Sequence, residues 1–305
     1  MRTTLLAAPL LLAVLSGIAP RTDSIAVERD ITYATRPAAD GAPAGEIALK
    51  LNLARPAGDG KHPCIIAIHG GAWRAGQREQ LDQLTEQLAK AGFVAATISY
   101  RFCPTHRFSA QVEDCAEAVR FLRAHAGEYG LDPDRIGAIG FSAGAHLAMM
   151  LGVLDCADGM NMCGSKPADT AKVQAVVAFF GPTLLSASDI PEQSKPLVRE
   201  FVGAEPASEY EARMNAASPV TYVTPGDAPI LMFQGTKDPL VPDTQATLMI
   251  EAMTKAGVAG RAEIMAGAGH GWGNPELERT LRVSKEFFEA YLRNAPPPAA
   301  PGAAR

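Results

Sequence analysis

The sequence predicts an α/β protein, a mostly parallel central sheet with helices on both faces, and three observations lead there. Apolar runs of strand length recur between segments of helical spacing. Some of them, such as CIIAI and the AVVAFF part of VQAVVAFF, are continuously apolar, as strands buried on both faces of a parallel sheet are. Strand and helix alternate along the chain, the order of βαβ units.

Residues 1–19 carry one arginine, an apolar run from Leu5 to Leu15 and small residues up to Ala19, and are expected to be a secretory signal peptide. The run is shorter than the roughly 20 apolar residues that span a bilayer, so no stable membrane insertion is expected after its removal. The chain is therefore expected in the periplasm or outside the cell. Residues 20–45, polar and rich in Ala, Pro and Gly, are expected to be an N-terminal extension, and 46–294 a single catalytic domain.

That domain opens with EIALKLNLARP, whose alternation marks a half-buried antiparallel strand. CIIAI follows as a buried strand. Leu81, Leu84 and Leu88 form one face of a helix that stops at Gly92, and FVAATISY is the next strand. FSAQVEDCAEAVRFLRAHAGEYG reads as one amphipathic helix, RIGAIGF as a strand and AGAHLAMMLGV as a helix. VQAVVAFFG and APILMFQG are strands, TQATLMIEAMTKAG a helix, RAEIMAG a short final strand and ERTLRVSKEFFEAYLRN a closing helix. From about Asp155 to Pro229 the rhythm breaks, which predicts a small lid-like insertion above the strand ends. The tail, 295–305, has too few large apolar residues to pack and is expected to be disordered.

A chain of 305 residues, 47% hydrophobic and 20% charged, can build one large core. Its net charge of −5 and lack of any Lys/Arg run offer no field for a phosphate backbone, which excludes nucleic acid as a partner. Of five cysteines, Cys156 and Cys163 flank a short polar segment and are placed to close a loop, with Cys103–Cys115 as a second pairing. There is no CxxC and no HExxH, and no metal or other cofactor is expected.

The chemistry-bearing segment is Gly140-Phe141-Ser142-Ala143-Gly144, between a predicted strand and a predicted helix. A serine hydroxyl is a weak nucleophile and must be presented clear of its backbone beside a base; a sharp strand-to-helix turn flanked by glycines does this. Ala143, opening the helix, offers its amide to a developing oxyanion. His69-Gly70-Gly71-Ala72-Trp73 ends the strand CIIAI, and the amides of Gly71 and Ala72 are assigned as further donors. His69 is expected to brace that loop. Asp238 and His270 follow later strands, APILMFQ and RAEIM, in the order Ser, Asp, His, so His270 is expected to be the base and Asp238 its orienting acid. His62 and His125 are expected to be solvated, His106 and His146 structural.

With HGGAW, GFSAG, GTKDPLVP and GAGHGW in this order, the chain resembles the bacterial esterase and lipase-like enzymes of the α/β-hydrolase superfamily, near the hormone-sensitive-lipase relatives and the feruloyl or acetylxylan esterase-like group. The likeness runs from about Ile31 to Asn294. It implies the α/β-hydrolase fold, a Ser142–Asp238–His270 triad and an oxyanion hole at the HGG loop. Ala72 stands where many relatives carry a third glycine, which stiffens the loop but keeps its amide. The expected activity is hydrolysis of small-molecule or carbohydrate esters, acetyl or feruloyl esters of polysaccharide among them. Amide or formamide hydrolysis, as in kynurenine formamidase-like relatives with an HGGxW loop, is the alternative enzymatic reading. A peptidase is weaker, and a non-catalytic binding protein on the same scaffold would keep the fold without the reaction.

Overall fold

The computed structural model describes residues 24–38, 45–165 and 169–293. The signal peptide and tail expected at 1–19 and 295–305 lie outside them. Eight strands, β1 (Ile25–Pro37), β2 (Glu46–Pro56), β3 (His62–Ile68), β4 (Val94–Ile98), β5 (Leu131–Phe141), β6 (Ala175–Phe179), β7 (Ile230–Gly235) and β8 (Gly260–Met265), form one sheet in the order β1-β2-β4-β3-β5-β6-β7-β8. β2 runs antiparallel to β1 and β4, and every later pairing is parallel.

The helices are α1 (Asp82–Lys90), α2 (Ala110–Ala124), α3 (Ala126–Tyr129), α4 (Ala143–Val153), α5 (Lys195–Val202), α6 (Tyr210–Ala216), α7 (Thr244–Ala256) and α8 (Glu276–Phe288). Alternate residues of one strand serve opposite cores. Cys64, Ile66 and Ile68 of β3 pack with Val112 and Leu122 of α2, Leu147 of α4 and Met249 of α7. Ile65 and Ala67 pack on the other face with Leu88 of α1 and Phe288 of α8. β3 from Cys64 to Ile68 and β6 are apolar without a break because both of their faces are covered.

Four expectations need correction. The extension expected over 20–45 is built into the sheet in its described part, as β1. Bulges between Glu28 and Ile31 and between Thr32 and Ala34, with Asp30 at φ 59°, disrupt the alternation that marks a strand. The helix read over 108–130 breaks at His125 into α2 and α3. The closing helix is regular only to Phe288 and ends in a π turn, Glu289–Arg293. Cys103 and Cys115 are not paired: both are free and buried, Cys103 against the carbonyl of Ala72 and Cys115 inside the core face of α2. Cys156 and Cys163 do form a disulfide, with Cα atoms 5.2 Å apart.

β1 and the loop after β4 are fastened to α2 by one carboxylate. The Asp114 side chain is fully buried and takes a bidentate bond from the Arg101 guanidinium at 2.8 Å, the Arg101 amide at 2.9 Å and Arg36 of β1 at 3.4 Å. Removing one partner of a buried ion pair leaves the other charge without its counterion, so Asp114→Ala should cost about 3–5 kcal/mol in urea unfolding. An unchanged midpoint would mean that Arg36 and Arg101 find water instead.

Candidate active site

β5 ends at Phe141 and α4 begins at Ala143, so Ser142 is itself the turn. It sits at φ 54°, ψ −119°, a sector that a residue with a side chain adopts only when its surroundings over-determine it. A Cβ on Gly140 would lie 2.1 Å from the Gly144 carbonyl oxygen, and one on Gly144 would lie 2.1 Å from that of Ile68. Neither position tolerates a methyl group. The Ser142 amide donates to Phe179 at 2.8 Å, which anchors the turn to β6.

His270 Nε2 stands 2.8 Å from Ser142 Oγ, and its Nδ1 stands 2.7 Å from Asp238 Oδ2. Two short loops hold this pair together. The Lys237 amide donates to Ala268 and the Gly267 amide to Thr236 Oγ1, both at 2.8 Å. Gly235 lies so close to the second loop that a Cβ would meet the Ala268 oxygen at 2.4 Å. The Asp238 side chain has no exposed surface and accepts four bonds, from His270, Gln234 Nε2 and the amides of Leu240 and Val241. Burial pushes its carboxyl up, but these donors outweigh burial and hold its pKa below the ordinary value, so it stays ionised.

The loop after β3 has positive φ at three residues in succession, Gly71, Ala72 and Trp73. That twist keeps the amides of Gly71 and Ala72 out of the sheet; with the Ala143 amide, they donate to no protein acceptor among the described residues. All three residues line one cavity with Ser142 and His270. The six expected site residues are thus gathered at the carboxyl ends of β3, β5, β7 and β8, where open α/β sheets present their crevice. His69 braces the loop as expected: Nδ1 lies 2.7 Å from the Gly70 oxygen, and the ring stacks on Tyr100 at 4.5 Å.

The cavity holds about 370 Å³, and no side chain lining it carries a fixed charge. Its far wall comes from residues that sequence reasoning did not assign: Phe180 after β6, Leu185 and Ile190, Leu197 and Val198 of α5, and Val241. Phe180 packs against His270 with the rings tilted at 59° and their centroids 4.7 Å apart. The apolar spacing in KPLVREFV was the available signal for α5. His146 is wholly buried beneath the loop after β3, whereas His62 and His125 are half-buried and only partly solvated; His125 stacks on Phe121 at 4.1 Å. Among the described residues no three His, Cys, Asp or Glu side chains come together as a metal site, and no helix is long and apolar enough to cross a membrane.

A sheet ordered this way, with a strained serine at its central strand-to-helix turn and an aspartate and a histidine on later loops, defines an α/β-hydrolase of the esterase and lipase-like kind. The chain belongs to the BD-FAE family, whose model matches residues 51–253. Esterase LipQ of Mycobacterium tuberculosis is 34% identical over 199 residues, 65% of this chain and 47% of that protein. Probable carboxylic ester hydrolase LipM of the same organism is also 34% identical, over 64% of this chain and 45% of its own length. The chain thus spans about half the length of these relatives. Thermogutta terrifontis esterase 2, solved phosphorylated by paraoxon, is 27% identical with a TM-score of 0.69, covering 88% of this chain and 95% of that one. A truncated carbohydrate esterase from gut microbiota, at 24% identity and a TM-score of 0.73 over 90% of this chain and 98% of its own, shares the fold.

Burial pushes the His146 imidazole down from 6.5 to about 4, against the opposing pull of its bond to Ala217. The unfolded chain therefore takes up a proton there before the folded chain does, and folding stability should fall as pH drops from 6.5 towards about 4. Wild type should lose roughly 2–3 kcal/mol more than His146→Gln between pH 7 and 4.5 in urea unfolding. Equal losses would place the acid lability elsewhere.

Proposed function

We propose that the chain hydrolyses carboxylic esters through an acyl-enzyme on Ser142. One observation carries this: an unbroken hydrogen-bonded series, Ser142 Oγ to His270 at 2.8 Å and His270 to Asp238 at 2.7 Å, ending in a cavity rimmed by free amides. His270 Nε2 accepts the Ser142 proton as Oγ adds to the ester carbonyl, and the ionised Asp238 stabilises the imidazolium through Nδ1–H. The amides of Gly71, Ala72 and Ala143 donate to the oxyanion as charge develops on it. His270 then hands its proton to the leaving alkoxide, and water repeats the sequence on the acyl-enzyme.

The walls narrow the acyl group. A charged acyl chain would lose its water in this cavity and find no partner, so the substrates are small, uncharged acyl esters. Acetyl and feruloyl esters of polysaccharide fall within that class. Export to the periplasm or beyond belongs to the same proposal, supported by the pattern of residues 1–19 and by the Cys156–Cys163 disulfide, which oxidising compartments preserve.

A fluorophosphonate probe should label wild type and fail on Ser142→Ala, whose kcat should fall by about 10⁵- to 10⁶-fold. Asp238→Asn, which favours the wrong tautomer of His270, should cost about 10⁴-fold. The substrate arm compares p-nitrophenyl acetate and butyrate with the charged monosuccinate, and acetylated xylan and methyl ferulate with the amide N-formylkynurenine. Equal labelling of Ser142→Ala would overturn the nucleophile; preference for the monosuccinate or for N-formylkynurenine would overturn the substrate class.

A further inference from the structure

Trp73 is the last of the three residues of positive φ in the loop after β3, at 58°, following 121° at Gly71 and 51° at Ala72. A bulky side chain in that sector persists only where neighbours hold it. Three contacts do so. The Cys103 amide donates to the Trp73 carbonyl at 3.0 Å. The indole lies flat on Phe201 of α5, with centroids 4.2 Å apart and planes 8° from parallel. Its Nε1–H donates to His146 Nδ1 at 3.3 Å.

The third contact depends on the form of the imidazole. His146 Nε2 lies 2.7 Å from the Ala217 carbonyl oxygen, an acceptor only, so Nε2 carries the proton and Nδ1 keeps its lone pair for the indole. The ring has no exposed surface, and burial keeps it uncharged. It is also clamped edge-on by Trp73 and Phe201, at 5.2 and 5.5 Å. His146 lies one turn into α4, its amide donating to the Ser142 carbonyl at 3.1 Å. A single side chain, carried on the helix that follows the serine, thus touches both the loop after β3 and the insertion that walls the cavity, which lies between β6 and β7 (180–229).

We infer that His146 is a positioning residue: through the Trp73 indole it holds the amides of Gly71 and Ala72 where the oxyanion develops, and through Ala217 it makes that loop depend on the seating of the insertion. The inference rests on the ester-hydrolase reading of Ser142. It differs from simple core packing in one respect. Packing loss lowers stability and leaves the balance of kcat and KM alone, whereas misaimed amides raise the barrier without weakening substrate binding.

Three substitutions separate the contacts, with Ser142→Ala as the blank. Trp73→Phe keeps a stacked ring and deletes the N–H. His146→Gln keeps a donor in reach of Ala217 and removes the acceptor at Nδ1. His146→Asn sets an amide oxygen near Nδ1 and gives up Ala217. Each is assayed with p-nitrophenyl butyrate and with a trifluoromethyl ketone, which adds the serine and mimics the tetrahedral state, well below its own melting midpoint. Trp73→Phe and His146→Gln should lower kcat about tenfold with KM within about twofold, and weaken the ketone by the same factor. His146→Asn should recover most of that loss.

If Trp73→Phe keeps kcat within about twofold of wild type, or if the losses fall on KM, the role of His146 is overturned while the esterase reading stands. Absence of Ser142-dependent ester turnover in wild type would overturn both. Trp73→Phe decides the matter even if the His146 variants do not fold.

Discussion

Helix α4 packs against the ends of β3 and β5 with no room for a single methyl group, because Gly144 faces the Ile68 carbonyl of β3 and Gly140 of β5 faces that of Gly144. This proximity makes the turn between β5 and α4 one residue long and drives Ser142 to positive φ. The strain is local and is held by ordinary packing on every side: β3 and β6 flank β5, and α4 is buried along its entire length. Such a residue cannot relax without unpicking the centre of the sheet. The hydroxyl is consequently fixed before any substrate arrives, which is the condition under which positioning lowers a barrier.

The other site groups inherit that rigidity through short ties. Asp238 and His270 lie three and five residues past the ends of β7 and β8, on loops bonded to each other through Lys237, Thr236, Gly267 and Ala268. The carboxylate is buried yet ionised because four donors surround it, so it can bias His270 at little cost in reorganisation. The oxyanion loop alone relies on side chains from elsewhere, chiefly Tyr100, His146 and Phe201. The Ser142–His270–Asp238 series is set by strand ends; the loop that carries the Gly71 and Ala72 amides is set by packing.

This division also explains what was legible in the residues. Ser142, Asp238 and His270 stood out because each needs a special turn, and special turns leave glycines beside strand patterns. The strands of the central sheet were readable because burial on both faces erases polar positions. β1 escaped because two bulges put its apolar residues out of step, although Tyr33 is 5% exposed and its hydroxyl bonds the Ser99 carbonyl. The break at His125 was hidden because His125 itself fits a helical pattern. The cavity wall was not readable because Leu185, Ile190 and Leu197 come together only through the folding of the insertion, and no local spacing records which loop a buried histidine faces.

The bond from His146 to Ala217 bears on how such a scaffold can diversify. Loops above a rigid sheet are the parts that lineages exchange when they change substrate, since the reacting groups lie elsewhere. Here the exchangeable part also supplies a main-chain oxygen that fixes a tautomer beneath the oxyanion loop. A descendant could rewrite nearly every side chain of the insertion and alter the shape of the cavity freely. As long as position 146 stays histidine, it could not dispense with an acceptor at that one point of backbone, and drift in specificity is tethered to a single inherited carbonyl.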